Sequence, residues 1–393
     1  MTTTIHDLPK ELVQEILIYH CDPLEVGSLS QCSKFFYELI SEDRHLWREL
    51  YLAQGLDDPE KCVSLIGRPR LEPFDWKEEL QAIIRARTIL GDVSLCKPHE
   101  RCGVLKTLLK LVSWVPPLRY PEDKENTSMN LLWVVAVTRG GNFVDSKKIP
   151  WEQEQEEKQL RARLHTMLGV VPGDLAKDVI LWAREMVYRM DNYTWGNEFG
   201  PFRGDGEGRV VVDWVHLKAV HHTISMRLIP PISEEEADFE MLIYPLSAPS
   251  TQAVIPESVV DLDLDKVEDW AGVGGVWMLS FCFVDHRLLI RYNESEPGDN
   301  TFITDPNFRE LFRTLEVKLH VTRTVPDKKH PGRPQIYFVG VMAAPSTSIM
   351  NGYVKLTDDD QIRWHFVCGE SGNAIWRCGS VSSPGNMELT LLI

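Results

Sequence analysis

The sequence has few features of secreted, membrane or metal-binding proteins. Its eight cysteines are scattered and never form a C-x-x-C pair or another zinc-ligand spacing, so we expect reduced thiols and no metal site. The longest apolar runs, LLWVVAV and VWMLSFCFV, are far shorter than the roughly 20 residues that span a bilayer. The stretch MTTTIHDLPK has no apolar core of a signal peptide. These absences predict an intracellular protein of the cytoplasm, the nucleus or both.

Positive charge is also scarce. The chain of 393 residues has 42 Lys and Arg against 58 Asp and Glu, which gives a net charge of -16. Such a charge opposes non-specific attraction to nucleic acid and to anionic lipid. We therefore expect neither a nucleic acid nor a membrane as a partner.

Common catalytic signatures are missing from the sequence. It contains no G-x-S-x-G, no H-E-x-x-H and no Walker loop, so we expect neither an enzyme nor a bound cofactor. His216, His221 and His222 share one predicted helix, and Asp213 or Asp205 could make an acid–base pair with His221. Twelve histidines in one chain make such clusters common by chance, so we favour a core or surface role for them.

The first 51 residues predict three or four short, apolar helices. Pro9 suits the first position of a helix with an apolar stripe that includes Leu12 and Ile16. Asp22 begins the next helix as an N-cap, and Ser33 and Asp43 suit the same role for two more. A unit of about 45 residues buries too little apolar surface to be stable alone and needs a metal, a disulfide or a partner. With neither of the first two, the inference is a protein partner.

The ordered set of motifs in this region resembles the F-box, the small helical module that docks substrate receptors onto the Skp adaptor of cullin-based ubiquitin ligases. The resemblance covers residues 5–51, through LPKELVQEIL, DPLEVGSLSQCSKFFYELI and HLWREL. It implies a non-catalytic receptor that reaches the cullin scaffold through the adaptor. The side chains that it places in or near adaptor contact are Leu8, Pro9, Leu12, Val13, Ile16, Leu17, Leu24 and Leu29, with a partly structural Trp47.

Downstream of the F-box-like segment, we divide the chain into four regions. Residues 53–130 form a helical linker region, and 131–230 form a mixed, mainly helical region. In the latter, Asp174 is expected to begin one helix and Asp213 to cap another. The stretch VYRMDNYTWGNEFGPF, followed by VDWVHLKAV, is similar to a segment of a large group of fungal F-box proteins. Residues 231–270 hold eleven acidic residues and a single Lys, which favours a solvated acidic connection, with a dock for a basic substrate as the alternative.

Residues 271–393 change to the alternating pattern of β-strands. LEVKLHV alternates apolar and polar residues, and IYFVGVM, GYVKL, IRWHFVCG and NAIWRCGSV continue the series, with TDDD as a turn. We also expect a hairpin at Asp285-His286, with RLLIRYN as its second strand. The fold class is therefore α+β: F-box helices, a helical middle region and a C-terminal antiparallel sheet or barrel.

Three functions are compatible with this organisation. We favour a substrate receptor that binds the Skp adaptor through the F-box and an unknown target protein through the downstream body. The alternative is a β-barrel that binds a small molecule, with Trp364 and Trp376 as candidate ligand-stacking residues, although aromatic residues there are more often core. The third is a hydrolase in the C-terminal region.

Overall fold

The computed structural model describes most of the chain. It covers residues 5, 8–116, 128–138, 143, 153–170, 172–228, 269–296, 298–305, 308, 310–342, 348–370, 373–378 and 389–392. Nearly all of the acidic connection, and the Pro-rich stretch between residues 117 and 127, lie outside these residues.

Four short helices begin the fold. They are α1 (Lys10–His20), α2 (Pro23–Ser30), α3 (Lys34–Ser41) and α4 (Arg44–Leu52). The predicted caps of α2, α3 and α4 are confirmed, because the side chains of Asp22, Ser33 and Asp43 accept hydrogen bonds from backbone N–H groups in the first turn. Pro9 lies one position earlier than expected: it precedes α1, and its carbonyl accepts hydrogen bonds from the N–H groups of Leu12 and Val13.

The middle of the chain is mainly helical. Its helices are α5 (Trp76–Gly91), α6 (Arg101–Ser113), α7 (Met129–Thr138), α8 (Gln155–Leu168), α9 (Lys177–Tyr188) and α10 (Trp214–Leu228). Two small antiparallel pairs accompany them: β1 (Val63–Ser64) with β2 (Trp114–Val115), and β3 (Phe202–Gly204) with β4 (Val210–Val212).

Two aspartates of this region were assigned the same role in the sequence analysis, and only one has it. Asp213 caps α10, because its carboxylate accepts hydrogen bonds from the N–H groups of Val215 and His216. Asp174 does not begin a helix, since α9 starts three residues later, at Lys177. Its carboxylate is instead buried against the ring of His165.

The C-terminal region is an antiparallel sheet of seven strands. They are β5 (Gly275–Val284), β6 (Glu310–Val325), β7 (Gln335–Met342), β8 (Ser348–Leu356), β9 (Ile362–Glu370), β10 (Asn373–Cys378) and β11 (Leu389–Leu392). Consecutive strands pair from β5 to β10, and β11 pairs with β9 beside β10. The α+β class is thus confirmed. Within the described strands, β5 pairs only with β6, so the sheet is curled and open, in the form of a half-barrel.

One predicted strand is wrong. RLLIRYN belongs to helix α11 (His286–Asn293), and Asp285 is its N-cap, with a carboxylate that accepts from the N–H groups of Arg287 and Leu288. Asp285 therefore begins a helix at a point where a hairpin turn was expected. The turn between β8 and β9 is confirmed at TDDD, where Asp360 has a positive φ of 59°.

Two apolar cores account for most of the packing. The first continues from Val13 on α1 to Leu168 on α8, so the N-terminal helices share one core with the helical middle region. Tyr51, Phe74 and Trp76 join α4 to α5 through edge-to-face contacts with ring centroids 4.8 to 5.5 Å apart. The second core lies on one face of the sheet, where Trp270, Phe338 and Trp364 are buried.

Candidate functional site

Helix α1 presents apolar side chains on two different faces, one turned to the core and one turned to solvent. The inner face carries Val13 and Leu17, which are almost completely buried. The outer face carries Leu12, Ile16 and Tyr19, at the i, i+4 and i+7 spacing that places side chains along one line of a helix. Leu12 is 51% exposed and Ile16 is 40% exposed. We call these three outer residues the α1 stripe.

The start of α2 holds a further exposed apolar side chain. Leu24 is 53% exposed and follows Asp22 and Pro23 at the N-terminus of the helix. A capping box fixes this turn: the N–H of Leu24 donates to Asp22 Oδ1 at 3.0 Å, and the N–H of Asp22 donates to Glu25 Oε2 at 2.9 Å. Arg87 of α5 donates to both carboxylate oxygens of Asp22, at 3.1 and 3.2 Å. The turn is thereby held against the helical middle region.

The structure divides the predicted adaptor residues into a surface set and a core set. Pro9, Leu12, Ile16 and Leu24 are exposed, and Leu8 and Leu29 are half-buried against the core. Val13, Leu17 and Trp47 are buried inside the domain. The indole N–H of Trp47 donates to the carbonyl of Ile40 at 2.8 Å and so joins α3 to α4. These three buried side chains pack in the core beneath the helices that carry the surface set, and their burial leaves them no surface for a partner to contact.

The two tryptophans proposed for a ligand do not form an open site. Trp364 is 5% exposed and packs edge-to-face against Trp277 and Phe338, with ring centroids 5.2 and 5.5 Å away. Trp376 lies in β10 opposite Cys368, and its side chain is outside the described residues. The packing of Trp364 favours a core role.

The acid–base pair considered for His221 does not form among the described residues, because Asp213 caps α10 and Asp205 forms an ion pair with Arg209. His216 lies 3.3 Å from the hydroxyl of Tyr193, and His222 donates to the backbone carbonyl of Asp174 at 2.9 Å. A fully buried His–Asp pair forms elsewhere, between His165 and Asp174, whose Nε2 and Oδ2 atoms are 2.6 Å apart. Sequence reasoning missed this pair because α8 and the turn before α9 meet only in the folded chain.

Other classes of site were sought in the described part of the chain. No three His, Cys, Asp or Glu side chains gather there closely enough to hold a metal ion. None of the helices described is both long and apolar enough to cross a membrane. The α1 stripe with Leu24 is the surface that agrees with the sequence analysis.

Comparison with known families agrees with the local geometry. Residues 5–53 match the family model described as F-box-like, and the match spans α1 to α4. No curated protein and no solved structure matches the chain. The N-terminal helices are therefore an F-box-like domain.

Proposed function

We propose, from the F-box-like domain of residues 5–53, that the chain is the target-recognition subunit of a cullin-based ubiquitin ligase. In this proposal the α1 stripe and Leu24 bind the Skp adaptor, and the body downstream of α4 binds a target protein. The observation that carries the proposal is the exposure of Leu12 and Ile16 above a packed core. An adaptor that covers these side chains removes apolar surface from water, which is worth about 1.5–3 kcal/mol for each fully buried side chain.

The proposed role is non-catalytic. The adaptor connects the F-box-like domain to the cullin scaffold, and the scaffold carries the ubiquitin-charged enzyme. A target bound to the downstream body is then held close to that enzyme, so its lysines are present at a high effective concentration. Rate enhancement comes from proximity, and the receptor needs no reacting groups of its own. This assembly would act in the cytoplasm, in the nucleus or in both.

The test is adaptor binding by the double variant Leu12→Ala/Ile16→Ala. The variant keeps the buried residues Val13 and Leu17, so the domain should remain folded while its contact surface shrinks. We expect binding to the purified adaptor to weaken at least about tenfold, which corresponds to about 1.4 kcal/mol. Isothermal titration calorimetry measures the affinity, and a thermal melt confirms the fold.

A matched control is available outside the domain. Leu71→Ala/Leu95→Ala also truncates two exposed apolar side chains, which are 92% and 47% exposed, and should leave adaptor binding unchanged. If the Leu12/Ile16 variant melts normally and binds the adaptor as tightly as the wild type, the α1 stripe is not the adaptor site.

A further inference from the structure

Four side chains form a row across the face of the sheet opposite its apolar core. Arg323 on β6 pairs with Tyr337 on β7, Tyr337 pairs with Tyr353 on β8, and Tyr353 pairs with His365 on β9. Their strand neighbours Phe338, Val354 and Trp364 are buried on the other face. Because side chains alternate between the faces of a sheet, the four lie together on the outer face. We call Arg323, Tyr337, Tyr353 and His365 the cross-strand row.

A β-bulge puts Arg323 into this row. Val321 opposes Phe338, whereas Arg323 opposes Tyr337, so Thr322 is an extra residue in β6. Without the extra residue, Thr322 would oppose Tyr337, and Arg323 would turn toward the core face. Bulges commonly re-aim a side chain in this way, often beside functional sites.

The rings of the row contact one another and two cations. The guanidinium carbon of Arg323 lies 4.1 Å from the ring centroid of Tyr337, and the ammonium of Lys355 lies 5.9 Å from that of Tyr353. The two tyrosine centroids are 5.9 Å apart. Tyr353 and His365 are nearly parallel, with centroids 4.6 Å apart and an interplanar angle of 21°. The contact with Tyr337 orients the guanidinium of Arg323, and its N–H groups donate to no other residue that the structure describes.

The two cations of this cluster lack the carboxylate partner that their neighbour has. Arg363, which pairs with Lys355 across β8 and β9, forms an ion pair with Glu198 and stacks on Phe202 at 4.2 Å. Neither Arg323 nor Lys355 forms an ion pair with any residue that the structure describes. Burial, together with the charge of Arg363, lowers the pKa of Lys355. The carboxylates of Glu198, Asp327 and Asp358 offset this lowering only in part, and none of the three forms an ion pair with Lys355.

We propose that the cross-strand row, with Lys355, binds an extended anionic segment of the target protein. The proposal rests on the proposed function, because it names the chemistry of the target that the receptor would recognise. Carboxylates or phosphates of the segment receive hydrogen bonds from Arg323 and Lys355, and its apolar side chains lie along the tyrosine rings. Charge-assisted hydrogen bonds of this kind are about twice as strong as neutral ones.

A peptide fits this surface better than a nucleic acid does. Base recognition on a sheet needs ring faces that are free to stack. Here one face of Tyr337 carries Arg323, and Tyr353 stacks on His365. Arg323 and Lys355, which have no ion-pair partner in the described part of the chain, suit a short run of negative charge, while the net charge of -16 opposes a polyphosphate backbone.

The experiment measures binding of labelled peptides to the full chain by fluorescence anisotropy at low salt. One probe alternates Glu with Ser, the second replaces each Glu with Gln, and the third carries phosphoserine in the Gln background. Arg323→Gln/Lys355→Gln should weaken binding of the Glu or phosphoserine probe at least about tenfold. The control Arg313→Gln/Lys328→Gln makes the same change in net charge at two exposed positions off the row, and should bind as the wild type does. Binding of the Glu probe would identify a carboxylate as the source of the negative charge, and binding of the phosphoserine probe would identify a phosphate.

Several outcomes would overturn the proposal. The first is an equal loss of binding in both double variants, and the second is failure of both anionic peptides to bind the wild type. The third is binding of the Gln peptide that is as tight as binding of the anionic ones. The fourth uses an oligothymidylate as an additional probe: it would bind more tightly than the peptides and lose affinity in Arg323→Gln/Lys355→Gln. Adaptor binding by the same proteins separates this inference from the proposed function. Arg323→Gln/Lys355→Gln should retain the adaptor, and Leu12→Ala/Ile16→Ala should retain the peptide. A variant that has lost both activities and melts early has unfolded, in which case the single substitution Arg323→Gln repeats the test.

Discussion

Three imidazoles lie close together where α8, the turn before α9, and α10 meet. His165 contacts the carboxylate of Asp174, His222 donates to the backbone carbonyl of the same residue, and His221 is their neighbour on α10. Among the described residues, no hydrogen-bond partner faces the Nδ1 atom of any of the three rings. Burial is the main cause that lowers the pKa of each histidine, and for His221 the pKa falls to about 4. The positive charges of Lys218 and Arg184 add to the effect, whereas Asp174 opposes it.

This cluster predicts a loss of stability in acid. The unfolded chain protonates histidine near the ordinary value of 6.5, whereas folded His221 protonates only near pH 4. Between these values the unfolded state binds more protons, so the free energy of unfolding falls as the pH falls from about 6.5 to 4. His221→Leu removes one of the three groups without removing a hydrogen bond to any residue that the structure describes, and should make this fall shallower.

Urea unfolding at pH 7.5 and at pH 5 measures the effect. His320→Leu, at an exposed position of β6, is the matched control and should keep the wild-type pH dependence. An unchanged slope for His221→Leu would show that His221 does not titrate as a buried group. His221→Gln replaces it if the leucine variant does not fold.

Single residues of the sequence predicted helix N-caps well, but they did not predict which buried side chains pair with each other. Asp22, Ser33, Asp43 and Asp213 act within three residues of their own position, so the local sequence contains the whole interaction. Asp174 was expected to begin a helix in a similar way, yet its carboxylate contacts the ring of His165, which lies on another helix. Nothing in the sequence around Asp174 distinguishes a cap from a partner brought in by the fold.

At the scale of elements, close packing between strands depends on a glycine in β8. Gly352 opposes Phe366 of β9, and a Cβ built there would lie 2.6 Å from Cζ of Phe338 and would also meet the backbone carbonyl of His365. A backbone carbonyl cannot move aside without breaking the strand pairing. The glycine therefore lets β8 approach β9 beneath the ring of Phe338.

Gly352→Ala should lower the free energy of unfolding by about 3 kcal/mol through overpacking. Gly103→Ala, on the exposed side of α6, meets nothing within 4 Å and should raise it by about 0.5–1 kcal/mol, because alanine is the better helix former. Chemical denaturation of the two variants gives both values. Similar effects of the same sign at the two positions would contradict the packing assigned to β8.

Element types were predictable where the pattern was long and ambiguous where it was short. The alternation of LEVKLHV predicted a strand that the structure confirms as part of β6. RLLIRYN is a run of only seven residues, which periodicity cannot assign to a helix or a strand, and it folds as α11. The bulge at Thr322 left no signal of its own, because its neighbours in register belong to another strand.

At the scale of the whole molecule, the sequence indicated the order of the regions but not how they pack. The F-box-like match, the helical middle region and the sheet follow one another as expected. Periodicity within each helix cannot show that the N-terminal helices share a core with α5 to α8. The division into separate regions stays a prediction for the same reason. The surface set of the proposed adaptor site also needed the fold, since Leu12 and Val13 are both apolar and adjacent in the sequence, yet only Leu12 is exposed.

One buried carboxylate connects the helical region to the sheet. Glu310, at the start of β6, is 2% exposed in its side chain and accepts hydrogen bonds from Arg184 of α9 at 3.2 and 2.8 Å. Arg227 of α10 forms an ion pair with the same carboxylate. The carboxylate of Glu310 thus connects two helices, α9 and α10, to the first residue of the long strand β6.

Glu310→Gln should therefore destabilise the whole molecule and not only β6. The substitution leaves two arginines without their counter-ion, which costs several kcal/mol when the cations are fully buried. Because Arg184 and Arg227 are 23% and 34% exposed, water compensates part of the loss, and we expect about 2 kcal/mol. Glu316→Gln makes the same charge change at an exposed position of the same strand and should stay within about 0.5 kcal/mol of the wild type.

If the helices and the sheet depend on this connection, circular dichroism at helical and at β-sheet wavelengths should report one lowered midpoint for Glu310→Gln. A midpoint lowered for the sheet signal alone would mean that Glu310 supports β6 without joining it to α9 and α10.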